Sequence, residues 1–166
     1  MNKKLSLLLY CVLIAGLLAL GACGDEGDDG GTTPPAPKAW EGVWLSAGAD
    51  VAPILVDLFD SVRITMDANN TITLESHVIN GAWNSNPGVY SVTESSDGDI
   101  HAIDVNYTSV EQEGIIQVWE ASPDSMYLEV VGTVPDSGAV PPTPADGFGA
   151  NQAVGASNIQ KYRRVN

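Results

Sequence analysis

The sequence predicts an all-β domain: an eight-stranded antiparallel up-and-down barrel, with a short helix or lid after the first strand. Three observations predict it. Apolar and polar residues alternate along several short segments. Gly, Pro, Asn and Asp cluster between those segments. Helical spacing of apolar residues is confined to one stretch.

Eight segments from Trp40 onward have strand character: 40–46, 61–67, 71–79, 89–93, 100–107, 114–121, 125–134 and 159–165. In the second, Val62, Ile64 and Met66 oppose Arg63, Thr65 and Asp67. In the third, Ile72, Leu74, Ser76 and Val78 oppose Thr71, Thr73, Glu75 and His77. In the fifth, Ile103, Val105 and Tyr107 oppose Asp104 and Asn106. One apolar and one wet face is the pattern of antiparallel strands. The runs 67–70, 95–98 and 122–125 carry turn chemistry. Between the first two strands, Val51, Ile54, Leu55, Leu58 and Phe59 recur at helical spacing, with Asp50 as an N-cap and Pro53 in the first turn. The segment 51–60 therefore reads as a short helix or an apolar loop. The run 80–88 reads as loop or edge. Eight strands can close into a barrel whose interior holds packed side chains or one small ligand.

Ahead of this domain, Lys3 and Lys4 precede an apolar run over 5–20 that suits an export signal rather than a membrane span. The run ends in Leu20-Gly21-Ala22-Cys23, which resembles the lipobox of bacterial lipoproteins. The resemblance implies removal of residues 1–22 and diacylglycerol transfer to the Cys23 sulfur, so that the chain holds to a membrane by its lipid. Each buried CH₂ contributes about 0.8 kcal/mol to such an anchor. Gly24 follows the cysteine and Asp25 comes one place later, which by the same resemblance favours the outer over the inner membrane. Residues 23–38, rich in Gly and Asp and then Pro, read as an acidic tether, and 39–166 as the barrel domain. Cys11 leaves with the signal. The barrel then has neither free thiol nor disulfide and relies on its core.

Removing Lys3 and Lys4 takes the net charge from −14 to −16. Such a chain repels phosphate backbones, which excludes nucleic acid as a partner, and it has no basic face for an anionic membrane. The acidity favours solubility or a cationic partner. No constellation for catalysis, metal or cofactor binding is legible. His77 and His101 lie in no metal motif, no Gly-x-Ser-x-Gly or Gly-rich phosphate loop occurs, and Asp97 and Asp99 flank Gly98 in a turn. The expectation is a protein that is not an enzyme and carries neither cofactor nor metal.

The first strand carries Trp40-Glu-Gly42-Val-Trp44, which resembles the Gly-x-Trp signature of lipocalins. The resemblance implies that Trp44 closes one barrel end beneath an arginine from the last strand, either Arg163 or Arg164, and that 51–60 is the lid. The chain is also similar to a group of bacterial lipocalin-like exported proteins, through Glu129-Val-Val131, Pro141-Pro-Thr-Pro144, Gly147-Phe-Gly149 and Ile159-Gln-Lys-Tyr-Arg. Candidate ligand or lid contacts are Leu55, Phe59, Trp83, Tyr107, Trp119 and Phe148. The long Pro-, Gly- and Ala-rich loop 135–158 either folds over a barrel mouth, with Phe148 as a plug, or lies on the surface with Phe148 tucked against the wall. Two functions follow. The domain binds a small apolar molecule inside the barrel at the cell envelope, or a solid barrel presents its loops to another protein, in the manner of an inhibitor.

Overall fold

A computed structural model describes residues 35–166, apart from Asp97, Ser122, Pro123, Gln152 and Asn166. The predicted export signal, Cys23 and the tether as far as residue 34 lie outside the described residues. Eight strands follow in order: β1 (Gly42–Ala47), β2 (Phe59–Met66), β3 (Thr71–Val78), β4 (Trp83–Thr93), β5 (His101–Tyr107), β6 (Glu111–Trp119), β7 (Ser125–Val134) and β8 (Gln160–Val165). Each pairs antiparallel with the next and β8 pairs with β1, closing a lipocalin-like up-and-down barrel.

The alternating patterns set which side chains point inward. Val62, Ile64 and Met66 of β2 lie inside, as do Ile72 of β3 and Ile103, Val105 and Tyr107 of β5. The register carries this face around the wall: Ile64 stands opposite Trp44 and Leu74, and Met66 opposite Ile72. A one-residue slip would turn every one of these side chains outward, so burial pins the pairing. The β2–β3 turn is held by Asp67, whose carboxylate accepts from the amides of Asn69 and Thr71 and from the Thr71 hydroxyl.

One end of the barrel is closed. Trp44 is fully buried, and its indole N–H donates to the Trp40 carbonyl at 2.8 Å. The Arg164 guanidinium lies over the Trp44 ring at 4.2 Å from its centre. Its Nε donates to Asp124 at 2.7 Å, and its two terminal nitrogens donate to the carbonyls of Glu41 and Ala39 at 2.6 Å each. Arg163, the other sequence candidate, lies on the outside beside Asp50 at 3.6 Å. Gly42 has a φ of +129°, and a Cβ there would stand 2.5 Å from Arg164 Nη1.

The structure decides one element and extends another. Of the two readings of 51–60, a short helix or an apolar loop, it takes the loop. A single 3-10 turn at Gly48–Asp50 is followed by consecutive turns, and β2 already begins at Phe59. Pro53 supplies no N–H and biases Ala52 away from helical geometry. The amides of Ala52 and Ile54 are instead spent on Gln160 and Ser157. Strand β4 also begins six residues earlier than its local chemistry suggests, at Trp83. The eight-residue β3 offers 83–87 a ladder, and that pairing overrides weak strand propensity. These residues have no partner on the β5 side, where pairing begins at Gly88, and Pro87 is tolerated on such an edge.

Gly42→Ala should lower the stability to urea unfolding by about 1–3 kcal/mol, the usual cost of forcing a side chain into such a backbone region. Arg164→Lys should cost on the order of 1.5–3 kcal/mol, because an ammonium cannot serve three acceptors in this fork. Equilibrium unfolding followed by tryptophan emission measures both, and an unchanged midpoint for either variant contradicts this account of the closed end.

Candidate ligand-binding site

Side chains fill the closed half of the barrel: Trp44, Met66, Ile72, Tyr90, Ile103, Ile116 and Met126 are all buried in one cluster. The other half is hollow. A cavity of about 280 Å³ is lined by Leu55, Phe59, Val62, Ile64, Leu74, Ser76, Tyr107, Gln112, Leu128, Val130, Asn158, Gln160 and Tyr162. Its walls thus come from β2, β3, β5, β6, β7, β8, the β1–β2 loop and, through Asn158, the end of the β7–β8 segment. The volume lies just below the usual range for pockets that take drug-sized ligands.

Unequal strand pairing opens this end. Strand β8 pairs with β7 only from Leu128 to Ser125, so the following residues of β7 have no β8 neighbour. Asn158 substitutes for one there, its side-chain amide donating to the Val130 carbonyl at 2.7 Å. Gln160 ties the first loop to the barrel interior. Its amide nitrogen donates to Ser46 at 2.6 Å and its oxygen accepts from the Ala52 amide at 2.8 Å. That tie holds the β1–β2 loop at the mouth, with Leu55 and Phe59 on the cavity and Ile54, Val56 and Leu58 exposed.

Two tyrosines bring the most specific polar chemistry. Tyr107 is 9% exposed and Tyr162 is 2% exposed. Tyr107 lies across Gly88, where a Cβ would come within 2.8 Å of its ring. Among the described residues neither hydroxyl has a hydrogen-bond partner. Burial raises the pKa of both phenols well above the ordinary range, and for Tyr162 the proximity of Tyr107 adds to the rise. Both are therefore neutral donors. Among the described residues no acidic, basic or histidine side chain lines the cavity.

Of the residues singled out from sequence, Leu55, Phe59 and Tyr107 come together here. Trp83, Trp119 and Phe148 do not line the cavity. Trp83 is on the outer face of β4, against His77 and beneath Arg63. Trp119 packs edge-on against Tyr127, and Phe148 is edge-on to the same ring at 5.9 Å. Tyr127 points outward from β7, so the loop 135–158 with Phe148 runs along the barrel wall and does not plug the mouth. It covers Glu129, which is fully buried on the outer face, and Gly149 donates its amide to Glu129 Oε2 at 2.6 Å. A broader depression of about 460 Å³ lies within this loop, but one loop forms its walls and no separate elements converge there. His77 lies outside beside Asp60 at 2.8 Å, and His101 is edge-on to Trp40 at the closed end.

Tyr162, Gln112, Gln160, Ser76 and Asn158 were not singled out from sequence. Their signal was available in part: Gln160 and Tyr162 share the inward face of β8 with Arg164, two residues apart along the strand.

Fold and cavity together define a lipocalin-like barrel with one sealed end and one apolar, uncharged chamber. Comparison with family models, with curated proteins and with solved structures returned no match.

The raised tyrosines predict alkaline sensitivity. An unfolded tyrosine loses its proton near pH 10, whereas in the folded chain Tyr107 and Tyr162 keep theirs to higher pH. Between those limits the unfolded state binds fewer protons, so stability falls as pH rises above about 10, by at most ~1.4 kcal/mol per pH unit for each tyrosine. Urea midpoints measured from pH 8 to 12 should show this fall, and the double variant Tyr107→Phe/Tyr162→Phe should flatten it. An equal slope in both proteins would contradict the placement of the two hydroxyls.

Proposed function

We propose that this protein is a lipid-anchored envelope protein that holds a small, largely apolar molecule in the hollow half of its barrel. The observation that carries the reading is the cavity itself. Apolar side chains from five strands and one loop enclose it, and a few polar groups converge on it, which is the usual composition of a small-molecule site. A barrel evolved only as a rigid platform has no need of this void, since an unfilled apolar space forfeits packing contacts. The Trp44–Arg164 pairing and the β1–β2 loop at the mouth support kinship with lipocalins. The export signal and Cys23 support attachment to a membrane, with the outer membrane favoured by Gly24, and the tether supports a domain held clear of it. With no charged side chain in the chamber, carriage or storage fits better than catalysis.

The alternative, a module that binds another protein through its loops, rests on the acidic surface and on the apolar residues exposed at the rim, Ile54, Val56, Leu58 and Ile79. The cavity favours the first reading.

Protein purified under native conditions from its own membranes should carry a small apolar molecule, recovered by organic extraction and visible as a mass increment in native spectra. Val130→Trp places an indole in the chamber, and should reduce that load at least tenfold while the barrel stays folded. Recovery of empty wild-type protein, or an equal load on the variant, would reject the carrier reading. Separately, Cys23→Ser should abolish incorporation of labelled palmitate; labelling that survives the change would reject the anchor.

A further inference from the structure

Building on the reading of the chamber as a ligand site, we propose that its occupant is uncharged, with an apolar body and one oxygen that accepts hydrogen bonds from the hydroxyls of Tyr107 and Tyr162. Three observations converge on this chemistry.

The first is the state of the polar groups on the wall. Gln160 is committed to Ser46 and Ala52, and Asn158 donates to the Val130 carbonyl. The two tyrosine hydroxyls are not committed to any described residue, although both rings are buried and both line the chamber. The buried side-chain oxygens without a partner among the described residues are Glu129 Oε1 and Thr133 Oγ1, so the two tyrosine hydroxyls, which have none either, keep surface open to the chamber, where a water or a ligand oxygen can meet them. Two phenol hydroxyls facing one chamber bring two O–H donors to it, and a single oxygen with two lone pairs can accept from both.

The second is charge. A carboxylate entering the chamber meets no cation. Arg164 is occupied at the closed end by Asp124 and two carbonyls, Arg163 is outside with Asp50, and Lys161 lies over the outward Tyr127 ring. A cationic ligand meets no anion either, because Glu129 points away from the interior and its Oε2 is taken by Gly149. An unpaired charge in such a site is strongly disfavoured. The occupant is therefore a ketone, ester or ether rather than an ionised acid or amine.

The third is size. A chamber of about 280 Å³ compares with a liquid share of about 30 Å³ per water, which limits the buried part of the ligand to roughly ten non-hydrogen atoms. A longer molecule has to leave its remainder at the mouth, among Leu55 and Phe59.

Three probes of one chain length separate the possibilities: heptane, 2-heptanone and heptanoic acid, each titrated into the full chain and followed by calorimetry. Wild type should bind 2-heptanone, and Tyr107→Phe/Tyr162→Phe should weaken that binding about tenfold, the usual effect of one or two lost hydrogen bonds. Heptane affinity should stay the same or rise in the variant. Heptanoic acid should bind near pH 4 and weaken as its carboxyl ionises, approaching tenfold per pH unit. Thermal melts confirm that the variant is folded. If the variant shifts 2-heptanone no more than heptane, or if heptanoate binds as well ionised as neutral, the polar recognition is wrong while the carrier reading stands. If wild type takes up none of the three probes, the carrier reading itself fails.

Discussion

The closure of the first strand onto the last is the constraint on which the rest of this structure depends, and Arg164 is where it is made. A barrel has no edges only if its terminal strands meet, yet β1 and β8 share just three register pairs. Arg164 supplements that short ladder from inside the seam. It binds the chain ahead of β1 through the carbonyls of Ala39 and Glu41, binds the residue before β7 through Asp124, and covers Trp44 with its face. Only a planar group with donors on several edges does all of this at once. Gly42 is the counterpart, since the guanidinium occupies the space where any other residue would carry its Cβ.

Because the seam is secured at that end, the other end is free to be irregular. Strand β8 starts late, β7 runs past it, and 83–87 of β4 pair on one side only. Each irregularity weakens the ladder locally, and together they prevent the side chains of the upper half from meeting in the middle. Packing at the sealed end and emptiness at the open end are thus two consequences of where the closing interaction was placed.

How much of this was legible follows from what kind of signal each feature leaves. The alternation in β2, β3 and β5 is a local pattern, and it placed Val62, Ile64, Ile103 and Tyr107 on the inner face without any knowledge of their neighbours. Gly42 and Trp44 were legible through a motif, and one of the two candidate arginines does lie on the tryptophan. Strand parity decides which: Arg164 shares a face with Tyr162, whereas Arg163 faces solvent. The 83–87 extension was not legible, because its strand character comes from β3 and not from Asn, Ser and Pro. The outer position of the 135–158 loop had a signal in the consecutive pairs Ile115-Ile116 and Val130-Val131. A strand that is apolar on both faces is covered on both, and β6 and β7 lie against the core on one side and under the loop on the other. Tyr162 was hidden because a tyrosine in a terminal strand reads equally well as packing, and only its unpaired hydroxyl distinguishes it.

The outward course of that loop also decides which segments border the chamber. With Phe148 against Tyr127 and Gly149 bound to Glu129, the loop belongs to the wall and contributes only its last residues, near Asn158, to the mouth. The segment after β1 supplies the rest of the mouth. It is held to the barrel by bonds from the Ala52 amide to Gln160, from the Ile54 amide to Ser157 and from the Ile79 amide to the Leu58 carbonyl, by the burial of Val51 and Ala52, and by the outer pair of Asp50 with Arg163. Gln160 therefore has a double position. It forms part of the chamber wall and it also holds the loop. One amide thus joins chamber wall and first loop at the open end, as one guanidinium joins β1 and β8 at the sealed end.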